Sequence, residues 1–173
     1  MSAPDVAAWT GVIVALTALG TLVLLSRQVT TALLATKVDL TFRLEQRFSG
    51  PEMQKLRAKS AQAIQVKNFE PAEEVLDFFE LIAFFTRKGA LDLEVVWHTF
   101  SWWERRYFVA MQEWIASRRE LDGTLWAELI WLDEEIQELH RKRDEGRPER
   151  LTPEHVTKFL KDESDLMKEA LDG

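Results

Sequence analysis

The feature that most constrains this chain is Val6 to Ser26, VAAWTGVIVALTALGTLVLLS, twenty-one consecutive residues without a charge. At about 1.5 Å of helical rise per residue, such a run covers a bilayer hydrocarbon core of about 30 Å. Its threonine and serine hydroxyls can bond to carbonyls of the same helix, so a single transmembrane helix is the expected structure. The alternative is a buried core helix of a soluble protein. Only Asp5 precedes the run, and none of the first twenty-six residues is basic. The basic leader of a cleaved signal peptide is therefore missing, and the segment is expected to stay.

Residues 27 to 67 hold eight basic side chains (Arg27, Lys37, Arg43, Arg47, Lys55, Arg57, Lys59, Lys67) against Asp39, Glu45 and Glu52. By the positive-inside rule, this flank stays in the cytoplasm and the tail of residues 1–5 lies outside the inner membrane. Trp9 falls near the outer end of the run, where an indole suits the lipid boundary. Ala7, Gly11 and Ala15 form a small-residue stripe that would let two membrane helices approach closely. The expected partners are the lipid bilayer and a second copy of the chain or another membrane protein.

The expected organisation is a tail (1–5), a transmembrane helix (6–26), its juxtamembrane continuation (27–48) and a cytoplasmic helical domain (49–173). The whole chain carries −7. With the +5 flank and Asp5 set aside, residues 68–173 hold −11. Such a domain repels a phosphate backbone and is a poor nucleic-acid binder by bulk field. There is no cysteine, which removes disulfides, thiolate metal sites and thiol nucleophiles together.

No proline or glycine interrupts Thr21 to Ser49, so the first helix is expected to continue unbroken, with Val29, Leu33, Leu40, Leu44 and Phe48 on a packed face. Ser49-Gly50-Pro51-Glu52 reads as the start of a second helix, Ser49 capping and Pro51 in the first turn. A third helix, following Pro71, carries VLDFFELIAFF (Val75 to Phe85), apolar on nearly all sides, and should be central; Gly89 stops it. Asp92 can cap a fourth, with Val96, Phe100, Trp103, Tyr107, Met111 and Trp114 on one face. Asp122 and Thr124 restart the pattern for a fifth, carrying Leu125, Leu129, Leu132, Ile136 and Leu139, with Trp126 and Trp131 widening the seam. Asp144 to Arg150 is a polar linker, and Thr152-Pro153-Glu154 opens a last helix with Val156, Phe159, Leu160 and Met167. No stretch alternates with a strand's period of two. The expected fold class is all-α, one transmembrane helix continuing into a bundle of about five further helices.

Arg47-Phe48-Ser49-Gly50-Pro51-Glu52-Met53-Gln54-Lys55-Leu56-Arg57, together with Val75 to Phe108, resembles a family of small bacterial membrane-anchored helical proteins known only as a domain of unknown function. The likeness lies in the long N-terminal helix, the F-x-x-P-E-M turn, a glutamate inside an aromatic helix, R-x-G-A-L-D and a Trp/Tyr-rich fourth helix closed by Arg118. It implies placement and fold, and carries no activity with it.

Glu80 is the first residue to weigh as chemistry, because its helical neighbours put a carboxylate in or beside the core. It must find a cation or change its pKa. Arg105, Arg106 and Arg118 are the candidate partners in a buried ion pair fixing two helices; catalysis is the alternative. His98, His140 and His155 show no metal-ligand spacing, so neither a metal nor a cofactor is expected. Of the seven tryptophans, Trp102 and Trp126 are the ones expected to reach an exposed face.

Arg150-x4-His155 resembles the Arg/His motif of HEPN ribonucleases, paired across two protomers to cleave RNA, and small membrane-anchored accessory proteins of CRISPR systems combine a similar motif with a spanning helix. The resemblance implies that Arg150 stabilises phosphate charge while His155 moves protons. With thirteen arginines in the chain the spacing arises readily by accident, and Leu151 stands where that family often has a polar residue. The leading reading is a non-enzymatic, membrane-anchored interaction or assembly protein. The alternatives are a HEPN-like ribonuclease or membrane-pore accessory of phage defence, in which RNA would be the partner, and a membrane-tethered ligand sensor.

Overall fold

The computed structural model describes the backbone of residues 3–143 and 151–172 and the side chains of residues 21, 24–143 and 151–166. The order is α1 (Ala3–Ser49), α2 (Pro51–Gln65), a 3-10 turn (Glu70–Ala72), α3 (Glu73–Arg87), α4 (Leu93–Arg119), α5 (Ala127–Arg143) and α6 (Pro153–Asp172). Among the described residues there is no strand, as the missing period of two requires. The chain divides into two units, residues 1–39 and 40–173. Among the described residues no helix is long and apolar enough to cross a membrane. Most side chains of the 6–26 run, including Ala7, Gly11 and Ala15, lie outside the described residues, as does the 144–150 linker.

In the first unit, Leu24, Leu25, Val29, Leu33, Leu34 and Val38 are each more than half exposed. The expected packed stripe is corrected here: Val29 and Leu33 meet solvent, while only Leu40, Leu44 and Phe48 of the second unit are covered. Thr30, Thr31 and Thr36 each donate a hydroxyl to the carbonyl four residues earlier, at 2.9 Å. This back-bonding satisfies the hydroxyls within the helix itself.

The second unit is built around the end of α1. Phe48 is stacked on Phe78 at 5.3 Å and meets Phe79, Phe100 and Trp103 at 5.7, 5.8 and 5.2 Å, so four rings from α3 and α4 close on one side chain. Ring pairs of this kind add about 0.5–1.5 kcal/mol each beyond area burial. The connection to α2 is the single residue Gly50, where an added Cβ would stand 3.1 Å from the Gln46 carbonyl oxygen. Ser49 therefore does not cap α2; it is the last residue of α1, Gly50 takes the capping position, and Pro51 opens the helix as expected. Gln54 donates its amide to the Ser49 carbonyl at 2.9 Å, using an acceptor that the helix end leaves over.

α3 buries Val75, Leu76, Phe78, Phe79, Ile82, Ala83 and Thr86. It is amphipathic and not apolar all round: Asp77 and Phe84 lie on its exposed side. Its aromatic content exceeds its buried face, and Phe84 spends the surplus under the Lys88 ammonium. Gly89, at φ +72, ends the turn after α3. Asp92 caps α4 as expected, accepting from the Glu94 and Val95 amides. α4 turns Val96, Phe100, Tyr107 and Met111 inward, and α5 turns in Leu129, Leu132 and Ile136.

Replacing Phe48 by Ala should cost about 3–5 kcal/mol, read as a fall in the urea midpoint at unchanged slope. Gly89→Ala should cost about 1–2 kcal/mol from backbone strain alone, since an added Cβ there meets nothing within 4 Å. A neutral outcome for Phe48→Ala would show that the rings closing on Phe48 do not hold the second unit together.

Candidate functional site

The polar chemistry of the second unit is concentrated where α2, α4 and α6 meet. Arg57 of α2 donates from Nε and Nη2 to the two carboxylate oxygens of Glu163 on α6, at 2.7 and 2.5 Å, with both side chains buried. The guanidinium lies 4.4 Å above the Phe48 ring, and Nη1 reaches the Phe48 carbonyl at 3.4 Å. Tyr107 of α4 donates its hydroxyl to Glu163 Oε2 at 3.0 Å. Burial first, and then the Glu163 charge, push the Tyr107 phenol well above its ordinary value of 10.0, so it stays a donor. A bidentate charged pair with its remaining valences occupied is the form in which two ions tolerate burial.

A second buried pair ties α4 to α5. Arg105 donates to Asp133 Oδ1, and Gln137 donates to Oδ2 at 2.6 Å. Burial raises the Asp133 carboxyl despite the lowering by Arg105. Arg105 is therefore the partner of Asp133 and not of Glu80. Arg118 lies 3.9 Å from Glu73, and Arg106 donates to the Trp102 carbonyl at 2.7 Å.

Glu80 does something the sequence did not suggest. Its carboxylate accepts from the backbone amides of Glu128 and Leu129, at 3.3 and 2.6 Å, and so caps α5 from a neighbouring helix. The need is local: Trp126 stands just before α5 at φ +48 and has no side-chain acceptor to offer the first turn. Trp126 is also not the exposed tryptophan expected. It is buried, donating Nε1 to Asp77 at 2.9 Å and tilted against Trp114 at 5.4 Å. Partial burial raises the Glu80 pKa, against the lowering effect of the two amides.

Trp102 does reach solvent, at 46% exposure. It forms one wall of a groove of about 370 Å³ between α4 and α6, with Arg106, Leu151, His155, Lys158, Phe159 and Asp162. Phe159 joins the groove to the buried network, edge-on to both Trp102 and Tyr107 at 5.2 and 5.0 Å. His155 is therefore in a groove with Arg106 and Lys158, whereas Arg150 lies outside the described residues. His155 exchanges weak contacts with Thr152, both at 3.4 Å. His98 and His140 flank Trp97 near the start of α4, and among the described residues no group of three His, Asp or Glu side chains could hold a metal ion.

A model of the domain of unknown function DUF4760 matches residues 6–136. α6, with Glu163, His155 and one wall of the groove, lies beyond the matched residues. No curated protein and no solved structure matches the chain.

Removing Glu163 by substitution with Ala should strand the Arg57 charge and cost about 3–5 kcal/mol in denaturant unfolding. Glu80 yields a pH signature. Because folding raises its pKa, the native state holds the proton more tightly than the unfolded chain does. Its stabilising contribution is therefore complete below 4.5 and is lost as pH rises through the raised value. Urea midpoints taken from pH 4 to 7 should show the native chain losing ground to Glu80→Gln across that range. A constant difference between the two would contradict the assignment.

Proposed function

The chain belongs to the DUF4760 family, and for it we propose a helical interaction or assembly protein, non-enzymatic, held in the inner membrane by residues 6–26 and self-associating through α1. The observation that carries this reading is the exposed apolar surface of Leu24, Leu25, Val29, Leu33, Leu34 and Val38. Side chains of this size, left 51–63% exposed on one short stretch of helix, gain about 25 cal/mol for each Å² removed from water. The uncharged run ends among them, at Ser26, and the back-bonded threonines remove three hydroxyls from the cost of an apolar surrounding. Arg27 and Lys37 interrupt residues 24–38, which suits a helix-to-helix contact at the bilayer edge better than the hydrocarbon core. The basic flank supports a cytoplasmic placement of residues 49–173. An interaction role is supported by how the polar groups are spent: Arg57, Glu163, Arg105, Asp133 and Glu80 all fix helices to one another.

The absence of native cysteine makes the test clean. After detergent-free lysis the full chain should pellet with membranes, resist a carbonate wash and dissolve in detergent. A single Leu33→Cys substitution should give a dimer band with a short bismaleimide, and Lys142→Cys should give much less. Chain found in the high-speed supernatant would overturn the anchor; membrane-bound chain with no crosslink from Leu33→Cys would overturn the self-association.

A further inference from the structure

We infer that the groove between α4 and α6 is a binding site for a mononucleotide, its phosphate held by Arg106, His155 and Lys158 and its base by Trp102, with the buried Phe159 ring behind it. The inference stands apart from the membrane reading, since every wall of the groove lies in the second unit.

Residues 68–173 carry a large acidic surplus, yet this groove gathers a guanidinium, an ammonium and an imidazole against the single carboxylate of Asp162. A cationic pocket in an acidic domain focuses on anions that the rest of its surface repels. Three nitrogen donors from two helices suit a phosphate, which offers several acceptor oxygens and two negative charges.

The groove is also aromatic. Trp102 is a large exposed side chain held in a fixed orientation: the Arg106 guanidinium carbon lies 4.4 Å over its ring, and Trp103 and Phe159 meet it edge-on at 5.1 and 5.2 Å. A rigid indole beside cations offers a planar, electron-rich ligand a platform at little entropic cost. The volume, about 370 Å³, lies at the lower end of small-molecule sites and accepts a mononucleotide. Asp162, the one acid in the groove, has a use in this assignment, because its carboxylate can accept from ribose hydroxyls.

The scaffold supports the site at its base. Phe159 packs on Tyr107 while Glu163, one helical turn along α6, is clamped by Arg57, so the α6 wall of the groove is fixed by buried contacts.

Equilibrium dialysis of the full chain in detergent micelles against radiolabelled AMP tests the proposal, with inorganic phosphate, adenosine and phenyl phosphate as competitors. AMP should bind saturably at one site per chain and weaken with added salt. Phosphate and adenosine should each compete at least about tenfold less well, since each supplies half of the contacts. Trp102→Ala and Lys158→Ala should each lower affinity by about tenfold; Lys158 is exposed, so its loss leaves the fold intact and the result readable even where Trp102→Ala unfolds the chain. Phenyl phosphate competing as well as AMP would replace the nucleotide by a simple aromatic phosphate and overturn the assignment. So would absence of saturable AMP binding, or unchanged binding by Lys158→Ala.

Discussion

The arrangement of the second unit depends on the burial of one cation. Arg57 sits in a pocket where the Phe48 ring covers one face of its guanidinium and Glu163 occupies its fork, so three helices are tied to a charge that none of them could bury alone. Taking two ions out of water costs several kcal/mol each, and mutual attraction offsets this only with good geometry. Such a pair adds little net stability compared with an apolar contact of equal volume. What it adds is register: α6 slid by one residue would leave both charges buried and unpaired, whereas an apolar seam would tolerate the shift.

The same logic repeats at smaller scale. Arg105 and Asp133 set α4 against α5, and Glu80 holds the first turn of α5 where Trp126 cannot. Polar groups at helix junctions thus decide which of many possible apolar packings forms, while the buried apolar side chains, Phe48 and the rings around it among them, supply the driving force. A domain assembled in this way holds its surface features, the α4–α6 groove among them, in fixed positions.

Local chemistry was legible in the sequence. The all-α class, the Asp92 cap, the Gly89 stop and the inward face of α4 follow from periodicity and from single residues acting on their neighbours. Long-range polar pairing was not. Arg57 stands among the basic residues of the flank, Glu163 among the acids of an amphipathic helix, and 106 residues separate them. Nothing in either local pattern marks one as the other's partner. Glu80 was visible as a carboxylate needing a partner, but arginines were the obvious candidates; its actual partners are backbone amides, which carry no sequence signature. Trp126 was misplaced for a related reason. Only the fold shows Asp77 and Trp114 closing over it.

The most direct test of this account is a double-mutant cycle on Arg57 and Glu163, using Arg57→Met and Glu163→Leu in the full chain and reading unfolding free energies in urea. Each single change strands a buried charge, while the double change leaves an apolar contact of similar volume. The double variant should be more stable than the summed losses imply, with a coupling of about 1–3 kcal/mol. Losses that add to within about 0.5 kcal/mol would show that the two side chains do not act as one unit.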